Sequence, residues 1–142
     1  MIELTPSQED YLEEIYNQVN KFGYAKVTEI SKALEVKKSS VTGALNALLK
    51  KELITYTPYS SITLTSKGEK LAKAVFNRHE VMTHFFSEIL KLSHEEAIKN
   101  ACKIEHVMSE ELFFRMTKFS AFIQEFFKQN PAIKNEIEKL FK

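Results

Sequence analysis

A single cysteine, Cys102, occurs in 142 residues, so no internal disulfide framework can form and a reducing compartment is expected. Glycine and proline occur three times each and tryptophan not at all, which excludes a loop-rich sandwich or a low-complexity chain. No basic-then-apolar leader precedes the polar cluster from Thr5 to Asp10. No apolar run approaches the roughly 20 residues of a membrane span. The expectation is a soluble, cytoplasmic protein with no membrane partner. A glycine-rich phosphate loop, a Gly-x-Ser-x-Gly elbow and a His-Glu-x-x-His pair are all absent, so enzymatic chemistry is not expected.

What is present is an ordinary globular composition, 44% hydrophobic and 27% charged, with an uneven charge distribution. Net charge is +1, but residues 24–73 hold nine Lys and four Glu, a net +5, leaving the remainder at −4. A basic module beside an acidic one invites a nucleic-acid reading for the former.

Local signals predict the elements. Thr5, Pro6 and Gln8 form a capping box with proline at the first helical position, and Gly23 can close that helix in the left-handed conformation. Thr28 is expected to cap a short helix burying Ile30, Ala33 and Leu34. Lys37-Lys38 makes a turn, and Ser39 or Ser40 starts a second helix with Val41, Leu45, Leu48 and Leu49 inward. Two short helices across a tight turn are the helix-turn-helix pattern. Residues 53–57 and 62–65 are rich in β-branched and aromatic residues around a Pro58–Ser61 turn, which makes a wing. A long helix is expected from Ser66 to about Leu90, with Leu71, Ala74 and Val75 inward. Further helices start at Ser93 with Glu96, at Ser109, and after Asn130-Pro131. Seven of the 11 Phe follow residue 110, and so much aromatic surface serves either a second subunit as well as the core or the core alone. The fold class is therefore mostly α: a winged helix-turn-helix domain over 1–72, then a helical domain over 73–142.

Cys102, Glu105 and His106 stand at i, i+3 and i+4, which on a helix is one face. Thiolate, carboxylate and imidazole are the common ligand types for a divalent transition metal. Each alone reads as a core or solvated residue; all three on one face read better as a metal site. Asp10 and Glu13 form an i, i+3 carboxylate pair that also reads as an acidic first turn favoured by the helix dipole.

At this point the chain resembles the diphtheria toxin repressor family of metal-dependent transcriptional regulators. Ala101-Cys-Lys-Ile-Glu-His-Val-Met-Ser109 is similar to the metal-binding helix of the iron-responsive branch. Thr5 to Tyr16, Gly23 to Val27, Ser39 to Thr42 and Leu64 to Gly68 resemble the manganese-responsive branch, whose short form lacks an SH3-like domain. The resemblance implies a primary metal at Asp10, Cys102, Glu105 and His106, with Asp10 as in the manganese branch and Cys102 as in the iron branch. Glu13 and His79 match the remaining ligands of a second metal in the manganese branch, where a Glu at the position of Cys102 bridges the two. It further implies a homodimeric, metal-activated repressor of metal-uptake genes that binds a double-stranded operator and responds to Fe(II) or Mn(II), with Co(II) and Zn(II) also able to bind. Lys37, Lys38, Ser39, Ser40 and Thr42 match the DNA-contacting helix. Gly43 stands where the iron branch has a base-contacting Gln, and the wing tip Tyr59-Ser60-Ser61 lacks the family's frequent Arg. Two other functions stay open on residues alone: a winged-helix regulator binding a small organic molecule among the carboxy-terminal phenylalanines, and a metal-dependent hydrolase.

Overall fold

A computed structural model describes residues 2–142, which fold as two compact units meeting in sequence at Phe76 and Asn77. The chain is mostly α, as its patterning predicts.

The first unit opens with α1 (Pro6–Phe22). Thr5 Oγ1 accepts from the Gln8 N–H and Gln8 Oε1 accepts from the Thr5 N–H, both at 3.2 Å, so the capping box is complete. Gly23, at φ 83°, ends the helix in the left-handed conformation that a Cβ disfavours. Helix α2 (Val27–Ala33) follows, capped by Lys26 rather than Thr28. The reason is tertiary: Gln18, buried on α1, accepts the Lys26 N–H through its Oε1 at 3.2 Å, and this anchors the chain ahead of Thr28. Ile30 is fully buried and Leu34 partly so, whereas Ala33 is exposed.

The helix-turn-helix turn lies at Glu35, whose φ of 54° is left-handed, not at Lys37-Lys38. Ser31 holds it, its hydroxyl donating to the Val36 carbonyl at 2.6 Å. Helix α3 (Lys38–Lys50) therefore begins at Lys38 with Lys37 as N-cap, and neither Ser39 nor Ser40 caps it. Val41, Leu45 and Leu48 are fully buried. Strands β1 (Ile54–Thr55) and β2 (Thr63–Leu64) pair antiparallel, Ile54 opposite Leu64 and Thr55 opposite Thr63, and Ala25 adds a bridge to Ile62. They are shorter than the β-rich segments predict, since only these residues keep the ladder.

Helix α4 (Ser66–His84) is preceded by Thr65, whose hydroxyl accepts from Gly68 N–H at 3.0 Å and donates to the Glu52 carbonyl at 2.8 Å. Ala72 and Val75 are buried and Ala74 is exposed, so the inward stripe runs through Ala72 in place of Ala74.

The second unit continues from Asn77 through the end of α4, which passes into a π-helical turn (Phe85–Ile89) before Leu90. Helix α5 (His94–Ile104) is capped by Ser93, a 3₁₀ turn covers Glu105–Val107, and α6 (Glu110–Gln129) is capped by Ser109. Helix α7 (Pro131–Leu140) starts at its proline. Met82, Phe86, Ala97, Ala101 and Met108 form the core, with Phe85, Phe113 and Met116 against it. On α6 only Phe127 among the phenylalanines is buried, while Phe114, Phe119 and Phe122 are 57%, 51% and 64% exposed.

Candidate metal centre and DNA interface

Helix α5 stops at Ile104, so Cys102, Glu105 and His106 do not share one α-helical face as their spacing predicts. Cys102 lies in the last turn of α5, and Glu105 and His106 lie in the tighter 3₁₀ turn. That change of pitch directs Glu105 inward, to 1% exposure. His79, on α4, meets it: His79 Nδ1 is 2.8 Å from Glu105 Oε2 and 3.7 Å from Cys102 Sγ. On the other side His106 Nε2 is 3.5 Å from Glu105 Oε1. One buried carboxylate is thus faced by two imidazoles, with a thiol beside the first.

Among the described residues, Glu105 Oε1 is a buried oxygen that accepts no hydrogen bond. A desolvated carboxylate with an unsatisfied oxygen is costly unless a cation compensates it. Sulfur, oxygen and nitrogen donors of this kind fit a divalent transition metal of borderline softness. Spacing alone does not bring His79 into this set; its partner is 26 residues away in sequence. Asp10 and Glu13 belong to the first unit, one turn apart on α1 and both half-buried.

In the first unit Lys37, Lys38, Ser39, Ser40 and Thr42 are all exposed at the start of α3. Two lysines at a helix N-terminus favour an anion through both charge and dipole. The Thr42 hydroxyl donates to the Lys38 carbonyl at 3.1 Å, which leaves its lone pairs as acceptors. Between α3 and the wing runs an open groove of about 740 Å³, bordered by Lys26, Lys38, Thr42, Asn46 and Tyr59. Sequence reasoning passes over Asn46, although it stands one turn beyond Thr42. Tyr59 projects fully from the wing tip at φ 64°, in a turn closed by the Ser60 N–H donating to the Thr57 carbonyl at 3.0 Å.

Residues 3–62 match the iron dependent repressor N-terminal DNA binding domain, and residues 65–134 match the iron dependent repressor metal binding and dimerisation domain. The chain belongs to the iron-dependent repressor family, the family of the diphtheria toxin repressor. It is 35% identical over 138 residues to the HTH-type transcriptional regulator MntR of Bacillus subtilis, covering 97% of this chain and 94% of that one. An HTH-type regulator of Methanocaldococcus jannaschii is 38% identical over 117 residues, 82% of this chain and 94% of that one. Among solved structures, T. acidophilum IdeR superposes with a TM-score of 0.71 at 29% identity, covering 83% of this chain and 55% of that one. The manganese regulator SloR gives 0.72 at 27% identity, covering 82% and 54%. The chain spans about half the length of these two solved relatives.

The protein is therefore a metal-responsive DNA-binding repressor with a dimerisation domain, and its cofactor is a divalent transition metal. The family consists of transcriptional regulators, not enzymes, which removes the hydrolase reading. A metal-binding domain over 65–134 likewise leaves the organic-ligand reading without support. No helix among the described residues is long and apolar enough to cross a membrane.

Proposed function

We propose that this repressor acts in the cytoplasm on genes for metal uptake, that Cys102, Glu105 and His106 together with Asp10 hold its regulatory metal, and that Fe(II) serves it ahead of Mn(II). The observation that carries the reading is Glu105: buried, faced by two imidazoles, one of which has the Cys102 thiol beside it, and left with one oxygen that accepts no hydrogen bond. When bound, the metal would supply positive charge beside this buried carboxylate. Glu13 and His79 are the candidates for a second metal, and the 2.8 Å contact of His79 with Glu105 makes His79 available to the first as well.

Ligands drawn from α1 and from the second unit would tie metal affinity to the orientation of the DNA-binding unit. In a dimer built on the exposed phenylalanines of α6, two α3 helices must meet successive major grooves, about 34 Å apart. Metal and DNA that favour the same arrangement raise each other's affinity by the same factor. Lys37 and Lys38 hold phosphates, while Ser39, Ser40 and Thr42 reach phosphates or base edges.

The test is His106→Ala. Loss of metal-stimulated DNA binding with the dimer intact, measured by sedimentation and duplex titration, is expected. A full metal response would remove His106 from the ligand set.

A further inference from the structure

Helix α3 carries a glycine in its interior, Gly43, that no contact among the described residues requires. Gly43 lies between Thr42 and Ala44 with no left-handed φ, and a Cβ built on it meets nothing within 4 Å. Glycine at such a position weakens a helix relative to alanine. The contrast is Gly68, also helical, where a Cβ would fall 1.8 Å from the Leu53 carbonyl oxygen. Packing inside the chain explains Gly68, and among the described residues no contact explains Gly43.

The place of Gly43 on the helix completes the observation. Val41, Leu45 and Leu48 turn inward, while Ser39, Thr42, Gly43 and Asn46 are exposed at i, i+3, i+4 and i+7, one continuous outer face. Lys37 and Lys38 flank its N-terminal end, and Lys26 stands across the groove. Asn46 borders that groove, and among the described residues its amide makes no side-chain hydrogen bond. The face has positive charge at its edges and, at its centre, a bare backbone beside an uncommitted amide.

We infer that Gly43 lets the α3 backbone approach the floor of the DNA major groove, and that this approach brings Asn46 onto an adenine as the main base-reading side chain of the protein. Asparagine offers one acceptor and two donors, the complement of the N6 amino group and N7 of adenine. A side chain at residue 43 would hold the helix off the bases and take Asn46 out of reach. The inference rests on the proposed use of α3 at the DNA and names what that helix reads.

The experiment enriches a randomised double-stranded DNA library on the full-length parent, Gly43→Ala and Asn46→Ala, with Mn²⁺ present, alongside thermal melting of each protein. Gly43→Ala should melt a few degrees higher, because alanine favours the helix and its methyl has room. It should nevertheless bind the parent's enriched duplex at least about tenfold more weakly, with binding to random duplex little changed. Asn46→Ala should melt as the parent does and lose the preference for adenine at one position of each half-site by about tenfold or more. Equal affinity of Gly43→Ala and parent for the enriched duplex would overturn the close approach. An unchanged adenine preference in Asn46→Ala would overturn the readout while leaving α3 as the DNA-binding helix. Failure of the parent to enrich any sequence would overturn both the inference and the interface on which it rests.

Discussion

Glu105 Oε2 lies 2.8 Å from His79 Nδ1, across 26 residues of sequence, and this pair joins the end of α4 to the turn after α5 within the second unit. The carboxylate is the hinge of the candidate metal centre, because its other oxygen faces His106 at 3.5 Å without a hydrogen bond.

Glu105→Gln tests that role with little change of volume. At a metal concentration about 100 times its Kd, the parent should gain about 2.7 kcal/mol of stability through binding linkage. The variant, having lost the charged oxygen donor, should show no such gain over its own metal-free melting temperature. Thermal unfolding with and without Mn²⁺ measures both, and an undiminished metal-induced shift would place the ion elsewhere.

Lys37→Ala combined with Lys38→Ala tests the DNA edge of α3. Removing one lysine from one phosphate should reduce the slope of log affinity against log salt by about 0.9, so the pair should reduce it by about 1.8. Binding should weaken alike on all duplex sequences. A slope equal to the parent's would place both ammonium groups away from the phosphates.

Gly68→Ala tests the packing of the wing against α4. A methyl directed at the Leu53 carbonyl oxygen cannot be accommodated without moving backbone, so destabilisation of about 1–3 kcal/mol or more is expected. A chemical-denaturation midpoint equal to the parent's would argue against this close approach.

The features legible in the sequence are those decided by neighbours in the chain. Thr5, Pro6 and Gln8 cap α1 because all the partners lie within four residues, and Gly23 ends it for the same reason. The start of α2 falls before Thr28, the cap its sequence suggests, because its anchor, Gln18, comes from another helix. The turn before α3 depends on a serine side chain reaching across to Val36 and on a left-handed Glu35, neither of which periodicity reveals. At the metal centre, residue type is legible and geometry is not. Spacing implies a continuous helix through Cys102 and His106, whereas the chain tightens after Ile104 ahead of the extended Met108 and the Ser109 cap. His79 can be matched by resemblance, but its contact with Glu105 is tertiary.

Cys102→Glu addresses metal choice. Carboxylate in place of thiolate hardens the donor set and should shift activation toward Mn²⁺, and it supplies a carboxylate for a second ion with Glu13 and His79. Metal-titrated DNA binding and metal-to-protein stoichiometry follow the two effects. An unaltered order of metals in the variant would show that Cys102 does not set the preference.

Whether metal held through Cys102, Glu105 and His106 switches on DNA binding is decided by the DNA affinity of the parent, titrated anaerobically with Fe²⁺ and with Mn²⁺. Affinity should rise with either metal, and Fe²⁺ should act at the lower concentration, because a thiolate ligand favours the softer ion. Activation by Mn²⁺ at the lower concentration would refute the assignment of iron, and an affinity unmoved by both metals would refute the switch itself.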